Sequence, residues 1–249
     1  MCLILFAYKS HPTHKLILAT NRDEFYKRDT RTAHWWEDHP EVLGGRDLQA
    51  GGTWMGINRN GRFAALTNYR EPGNLQPNAP SRGDLVKDYL TSNLSPDVYL
   101  HTINGANYNG FNLLVGGPDA MWCYSNRGYG PQELRPGIYG LSNHLLDTPW
   151  PKVEKGKQRM AEFIEGNPLN PQTAFNFLND PLLAPDEELP QTGVPLEWER
   201  LLSAMFITSP AYGTRASTVV LIDNENRVFY GEKSYVPQKE SFHEFEIGA

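Results

Sequence analysis

Two apolar runs open the chain, and a short polar segment separates them. The first covers residues 2–8 and the second covers 15–21. Both are nearly continuous rather than alternating, which is typical of strands that are buried on both faces. Residues 9–14 contain Pro12 and are typical of a turn. The pattern therefore predicts a buried hairpin, in which the end of the second strand lies beside the start of the first.

Farther along, strand-type and helix-type patterns come in blocks. A second hairpin is predicted over 51–69, because Asn60-Gly61 is a strong two-residue turn signal between two apolar runs. Ser81 and Ser95 each precede a helical spacing of apolar residues and predict helix starts. The other predicted elements are helices at 150–165, 171–179 and 195–206 and strands at 110–115, 120–125, 137–141, 216–222, 227–230 and 242–247.

Blocks of strands and blocks of helices indicate an α+β fold built in layers. Residues 25–52 show weak periodicity and predict a long loop that covers or lines something, with Trp35-Trp36 within it. The proline-rich stretch 179–195 predicts a surface connection between helices. Because no repeat, low-complexity tract or linker interrupts the pattern, we expect a single domain over 1–249.

Composition and charge narrow the function classes. The 249 residues carry a net charge of -6 and no block of Lys or Arg, which argues against nucleic-acid binding. No apolar stretch approaches the ~20 residues that a membrane span needs. The chain has 2 cysteines, too few for a disulfide framework, and its start lacks a secretory signal pattern, so we expect a cytoplasmic protein. The histidines lack metal-site spacing, and we expect no metal site.

Cys2 stands directly behind the initiator methionine. One interpretation is a small buried hydrophobe in the first strand. The other is a nucleophile that works once Met1 has been removed, because the freed α-amino group has a pKa of ~8 and can take the proton of a thiol whose pKa is ~8.5. The base and the nucleophile would then belong to one residue, which gives a high effective concentration.

Charged and amide side chains follow the second apolar run as Asn21-Arg22-Asp23-Glu24. In a strand, Asn21 and Asp23 face one way and Arg22 and Glu24 the other. The hairpin brings this segment near Cys2, where a carboxylate can hold an ammonium group and an arginine can stabilise a thiolate. The alternative is a solvated start of a loop with a local ion pair.

Two later residues also have suitable chemistry. Asn68 ends the second hairpin, and a side-chain amide is a frequent oxyanion donor; the alternative is an asparagine that caps a turn. Arg215 enters the strand at 216–222, where a guanidinium can bind a carboxylate or support a thiolate; the alternative is an ordinary surface arginine.

These segments together resemble the NRDE family, which is also called the transport and Golgi organisation protein 2 family. The resemblance covers most of the chain, and the set of motifs is specific although each motif alone is weak. Its motifs are Met1-Cys2, 21–24 (NRDE), 44–47 (GGRD), 51–54 (GGTW), 67–70 (TNYR), 141–153 (LSNHLLDTPWPKV) and Thr214-Arg215.

The family in turn resembles N-terminal-nucleophile hydrolases of the choloylglycine hydrolase and penicillin V acylase kind. This implies a four-layer αββα sandwich in which Cys2 is the nucleophile of amide or thioester hydrolysis, with no cofactor required. It also implies that Asp23 binds the α-amine with Asn21 beside it, and that Asn68 forms the oxyanion hole. Asn143 and Arg215 are the best matches to a later asparagine and arginine that complete such a site.

The chain departs from these hydrolases at one position. They carry an arginine directly before the Asn-x-Asp segment, whereas Thr20 stands there in this chain and the arginine is Arg22. The NRDE family is associated with Golgi organisation, lipid and acyl-CoA metabolism and haem mobilisation. The resemblance therefore implies two partners, a small acyl substrate for a hydrolase or, alternatively, haem or acyl-CoA for a binding and trafficking protein. A structural interaction module is a third possibility.

Overall fold

The computed structural model describes residues 2–128, 130–166 and 168–248. The strands in these residues are β1 (Cys2–Tyr8), β2 (His14–Phe25), β3 (Thr30–Trp35), β4 (Val42–Asp47), β5 (Met55–Asn58), β6 (Phe63–Asn68), β7 (Phe111–Gly116), β8 (Met121–Ser125), β9 (Gln132–Glu133), β10 (Gly137–Leu141), β11 (Tyr212–Asp223), β12 (Arg227–Tyr235) and β13 (Gln238–Glu246). The α-helices are α1 (Arg82–Thr91), α2 (Pro96–Thr102), α3 (Pro151–Ile164), α4 (Pro171–Leu178) and α5 (Leu196–Ser203).

Antiparallel pairing assembles the strands into two sheets. Sheet 1 has the order β10-β1-β2-β11-β12-β13, and sheet 2 runs in the order β3-β4-β5-β6-β7-β8-β9. Both predicted hairpins are confirmed, β1 with β2 and β5 with β6. Gly61 in the second turn has a φ of 77°, a conformation that glycine adopts without steric cost.

Alternate residues of β1 face two different cores. Leu3 and Leu5 pack with residues of α3 and α4, whereas Ile4 and Phe6 pack between the two sheets. A third core lies between sheet 2 and helices α1 and α2. The layers therefore follow the order α3 and α4, sheet 1, sheet 2, α1 and α2, which confirms the expected α+β fold as a four-layer αββα sandwich.

The predicted loop over 25–52 is wrong, because this stretch contains β3 and β4. Its strands lack a regular alternation of side chains since β4 includes Gly44 and Gly45. A Cβ atom on Gly44 would lie 2.7 Å from the carbonyl oxygen of Met55, and one on Gly45 would lie 2.3 Å from the Trp54 ring. Close packing of β4 against its neighbours thus requires glycine and removes the pattern that identifies a strand.

Candidate active site

Strand pairing places Cys2 directly opposite Arg22. In the β1–β2 register Cys2 pairs with Arg22 and Leu3 pairs with Asn21. The predicted proximity of the 21–23 segment to Cys2 is therefore confirmed. The Arg22 guanidinium lies 4.0 Å above the ring of Trp54, next to sheet 2, so this face of β2 looks toward the second sheet.

Asn21 and Asp23 lie on the opposite face of β2, toward the helices. The Asn21 amide donates to the carbonyl oxygens of Leu178 at 2.9 Å and Met205 at 2.7 Å, and accepts from Ser217 Oγ at 2.6 Å. Asp23 Oδ1 accepts a hydrogen bond from Thr214 at 2.7 Å. The hydrogen bonds of Asn21 thus connect the helix layer to sheet 1, and Asn21 does not line the cleft.

Cys2 and Arg22 open into a cleft of about 240 Å³. The half-buried Cys2 has an environment that favours the neutral thiol, since burial raises the pKa of its thiol, although the Arg22 guanidinium acts in the opposite direction. A thiolate at this position therefore needs a base. The cleft is lined by Cys2, Arg22, Asp23, Glu24, Arg28, Asp47, Thr53, Trp54, Leu66, Asn68, Ala79, Pro80, Ser81, Arg82, Gly83 and Asn109.

Asn68 lines the same cleft from the end of β6. Its backbone carbonyl accepts a hydrogen bond of 2.9 Å from the Asn143 side chain, and Asn143 is fully buried. Ser142 donates a hydrogen bond of 3.0 Å to the carbonyl oxygen of Cys2. Residues 142–143 therefore link the start of β1 in sheet 1 to the end of β6 in sheet 2, and Asn143 supports Asn68 from behind rather than lining the cleft.

Arg215 has a different position from the one its predicted role requires. Its guanidinium donates to the backbone carbonyls of Phe25, Tyr26 and Arg28 at 2.7 to 3.1 Å, and to that of Val236 at 2.6 Å. It is not among the residues that line the cleft. Arg215 therefore fixes the backbone that carries Arg28 to the cleft, and its effect on Cys2 is indirect.

The predicted placement of Trp35 and Trp36 beside a binding pocket is wrong. Trp36 is buried under α1 and α2, and Trp35 packs edge-on against Phe245. Neither indole lines the cleft, which has Trp54 and Leu66 as its larger apolar side chains. The two tryptophans therefore belong to the packing of the fold and not to the lining of the cleft.

Sequence reasoning missed Lys152 as a member of the site, although its motif was recognised. The side chain is buried at the second position of α3, where the positive end of the helix dipole disfavours a cation. Burial lowers the pKa of Lys152 to about 8, and the Asp23 carboxylate acts against this change. Burial likewise raises the pKa of Asp23, with Lys152 as the strongest opposing group. A lysine directly after a proline that starts a helix was the signal available in the sequence.

Beside Lys152, Arg70 and Glu199 form a buried ion pair. Their side chains are each 4% exposed and lie 2.6 Å apart, and the Arg70 guanidinium is 4.6 Å from the Trp150 ring. The 141–153 motif therefore contributes Asn143 to the support of Asn68, and Trp150 and Lys152 to the surroundings of the Arg70–Glu199 pair.

The sequence matches the family model of "Transport and Golgi organisation 2" over residues 1–237. The homologue from Bos taurus is 40% identical, covering 94% of this chain and 93% of the relative. The homologue from Drosophila melanogaster is 32% identical, covering 94% and 92%. The chain belongs to the transport and Golgi organisation 2 family.

Two solved structures share the fold of this transport and Golgi organisation 2 chain. An N-acylethanolamine-hydrolyzing acid amidase ortholog from Caenorhabditis elegans superposes with a TM-score of 0.51 at 12% identity, covering 88% of this chain and 92% of that one. A C2A mutant of conjugated bile acid hydrolase from Clostridium perfringens gives 0.52 at 9% identity, covering 99% and 92%. At these identities the likeness shows the fold alone.

Within the described residues of this family member, no helix is long and apolar enough to cross a membrane. No group of three or more His, Cys, Asp or Glu side chains in the same part of the chain is arranged to hold a metal ion.

Proposed function

We propose that this protein is an N-terminal-nucleophile hydrolase that acts on a linear amide or thioester. The observation that carries the proposal is that Cys2, Arg22 and Asn68 line one cleft while Asp23 lies next to Arg22 on the strand opposite Cys2. Met1 must be removed for this chemistry, and Met1 lies outside the described residues. The reaction requires no cofactor.

In the proposed reaction the α-amino group of the mature Cys2 takes the proton of its own thiol. The sulfur attacks the carbonyl carbon of the substrate, and the Asn68 amide stabilises the oxyanion that forms. The ammonium returns the proton to the leaving nitrogen or sulfur as that bond breaks. Water then hydrolyses the acyl-enzyme thioester, which releases a carboxylic acid and restores the thiol.

The charges of Asp23, Lys152 and Arg22 support these steps. Asp23 provides a carboxylate for the α-ammonium, and the Lys152 ammonium behind it stabilises the ionised form of that carboxylate. Arg22 stabilises the thiolate. In the hydrolases that the sequence resembles, the arginine stands two positions earlier in the strand.

The decisive experiment measures hydrolysis of N-acyl amides and acyl-CoA thioesters by purified protein whose intact mass shows that Met1 is absent. We expect Cys2→Ala to reduce turnover to background and Cys2→Ser to reduce it strongly. Cys123→Ala is the matched control, because Cys123 is buried between the sheets, and it should retain activity. Equal turnover by the wild type and Cys2→Ala would overturn the proposal.

The haem or acyl-CoA binding protein stays a prediction, as does the cytoplasmic location. A haem titration separates the carrier from the hydrolase. A Soret shift that persists in Cys2→Ala, together with no turnover of any acyl substrate, would favour a carrier on this scaffold.

A further inference from the structure

Arg22 is buried without the acceptors that a buried guanidinium normally has. It is 6% exposed and stacks on Trp54, yet among the described residues it has no hydrogen-bond acceptor and no ion pair within 4.0 Å. The other deeply buried arginines differ: Arg70 pairs with Glu199, and Arg215 donates to four carbonyls. Among the described residues, the fully buried N–H groups without a partner include Nε and Nη2 of Arg70 and Nε of Arg215 but none of Arg22, so the unpaired N–H groups of Arg22 are open to the cleft and available to an acceptor that enters it.

A second arginine enters the cleft from a different layer. Arg82 is the first residue of α1 and donates one hydrogen bond, from Nη1 to the carbonyl oxygen of Gly110 at 2.9 Å. No carboxylate in the described chain forms an ion pair with it. Ser81 and Gly83, which flank Arg82, also line the cleft, so the positive end of this ten-residue helix faces the same space.

In the described residues, the carboxylates that line the cleft form no ion pair with Arg22 or Arg82. Asp47 accepts from Arg28 at 2.6 Å, and Glu24 lies 4.0 Å from the same guanidinium. Asp23 has its charge partner, Lys152, on the helix side of sheet 1. Asp47 and Glu24 therefore both lie by Arg28, and in the described residues neither forms an ion pair with Arg22 or Arg82.

Glu232 lies on the inter-sheet side below Arg22 and also leaves it unpaired. Its Oε1 accepts a hydrogen bond of 2.8 Å from the Ala33 N–H, and its Oε2 is 3.4 Å from the Thr218 hydroxyl. The carboxyl thus has its own partners in the core and forms no ion pair with Arg22 in the described chain. An oxyanion in the cleft would supply the missing acceptor.

We propose that Arg22, Arg82 and the first turn of α1 form a subsite for an oxyanion, a carboxylate or a phosphate, that the acyl substrate carries close to its scissile carbonyl. This inference rests on the proposed function, because it treats the bound molecule as the substrate of the hydrolase. It extends that function by naming the substrate class. Guanidinium groups bind carboxylates and phosphates through paired hydrogen bonds, and the cleft of about 240 Å³ suits a small polar leaving group.

Alkylation of Cys2 tests the subsite without any need for turnover. Iodoacetate and iodoacetamide both react when a thiolate displaces iodide, but only iodoacetate carries a negative charge. Stabilisation of the thiolate by Arg22 affects both reagents equally, so the ratio of their rates reports the site's preference for an anion. We expect the ratio at Cys2 to exceed that of glutathione by roughly tenfold, and Arg82→Gln to remove most of this excess.

The variant Arg62→Gln is the matched control. Arg62 also stacks on an aromatic ring, at 4.1 Å from that of Tyr89, but it binds carbonyls at the other end of α1. Its ratio should equal that of the wild type. Peptide mass spectrometry reads Cys2 and Cys123 separately. A ratio at Cys2 equal to that of glutathione, or one that Arg82→Gln leaves unchanged, would overturn the subsite.

Three substrates with one acyl chain identify the anion. N-octanoylglycine carries a carboxylate, N-octanoyl-O-phosphoethanolamine a phosphate, and N-octanoylethanolamine neither. We expect kcat/KM for one of the anionic substrates to exceed that of the neutral one by roughly tenfold, and Arg82→Gln to narrow the gap. If the alkylation ratio is raised but no substrate turns over, the hydrolase proposal fails and the subsite stands. If all three turn over equally, the subsite fails and the hydrolase stands.

Discussion

The two faces of β2 beside Cys2 differ in how their charges are matched. On the helix side, Arg70 pairs with Glu199 at 2.6 Å, and the charge of the buried Lys152 favours the ionised form of Asp23. On the cleft side, Arg22 stacks on the Trp54 ring and forms no ion pair within 4.0 Å in the described residues. Successive residues of one strand therefore provide a buried support on one face and an unpaired arginine that lines the cleft on the other. The difference indicates which face holds the site in shape and which face meets a ligand.

The largest expected effect is on the helix side of β2. Lys152→Met removes the buried lysine whose charge most favours the ionised Asp23 carboxylate, so we expect the free energy of unfolding to fall by about 3–5 kcal/mol in urea titrations. Adding Asp23→Asn should recover part of the loss, since Thr214 can still donate to the amide oxygen. Lys155→Met is the control on the same helix, because Lys155 is 36% exposed and its pair with Asp180 should contribute less than about 1 kcal/mol. Equal losses for the two lysines would contradict the comparison.

Two asparagines test the same contrast between support and chemistry. If Asn68 is the oxyanion donor, Asn68→Ala should lower kcat by about 10²–10³ with a change in unfolding free energy below about 1 kcal/mol. Asn21→Ala should instead lower the free energy of unfolding by about 3 kcal/mol, because three buried hydrogen bonds are lost. Steady-state kinetics and urea unfolding on both variants check this. An Asn68→Ala protein with full kcat would remove Asn68 from the mechanism.

The buried Glu232, on the inter-sheet side of sheet 1, predicts a dependence of stability on pH. Burial raises the pKa of Glu232 from 4.5 to about 7 in the folded state. The folded protein therefore holds this proton more tightly than the unfolded chain, and the contribution of Glu232 to stability falls as the pH rises from 4.5 through 7. Unfolding of Glu232→Gln should lack this fall, so its stability relative to the wild type should rise by up to roughly 3 kcal/mol between pH 4.5 and pH 8. A difference that is constant across this range would contradict the assignment.

The smallest expected effect concerns the link between the sheets. Ser142→Ala removes the hydrogen bond to the Cys2 carbonyl and should lower the unfolding free energy by about 1 kcal/mol. Because the start of β1 is then held less firmly, the rate of alkylation of Cys2 by neutral iodoacetamide should rise, whereas Cys123 should be unaffected. An unchanged rate at Cys2 would show that strand pairing alone holds it.

Local pattern was enough to predict the hairpin that joins Cys2 to Arg22. Continuous apolar runs and a proline-containing turn determine that pairing, and the alternation of Asn21, Arg22 and Asp23 follows from strand geometry. Helix starts at Ser81 and Ser95 were predicted from capping chemistry, and α1 and α2 begin there. These features depend on neighbours within a few residues, which a single sequence displays.

The parts that escaped prediction depend on contacts between distant segments. Arg82 reaches the cleft because the loop at Gly52 packs against the backbone of Gly83, where a Cβ atom would lie 2.5 Å from the Gly83 carbonyl carbon. Lys152 reaches Asp23 across the boundary between a helix layer and a sheet. Strands β3 and β4 are stabilised by partners that replace side-chain alternation with glycine. No local pattern records any of these approaches.

The hydrogen bonds of Arg215 to backbone carbonyls have a consequence for the order in which the parts of the chain fold. The backbone oxygens at residues 25, 26 and 28 receive their donor from a residue 187 to 190 positions later. The wall that carries Arg28 therefore cannot be completed until β11 has paired with β2, and closing so long a loop is a slow step. Cys2 is synthesised long before Arg215, so the part of the cleft wall that carries Arg28 is completed late.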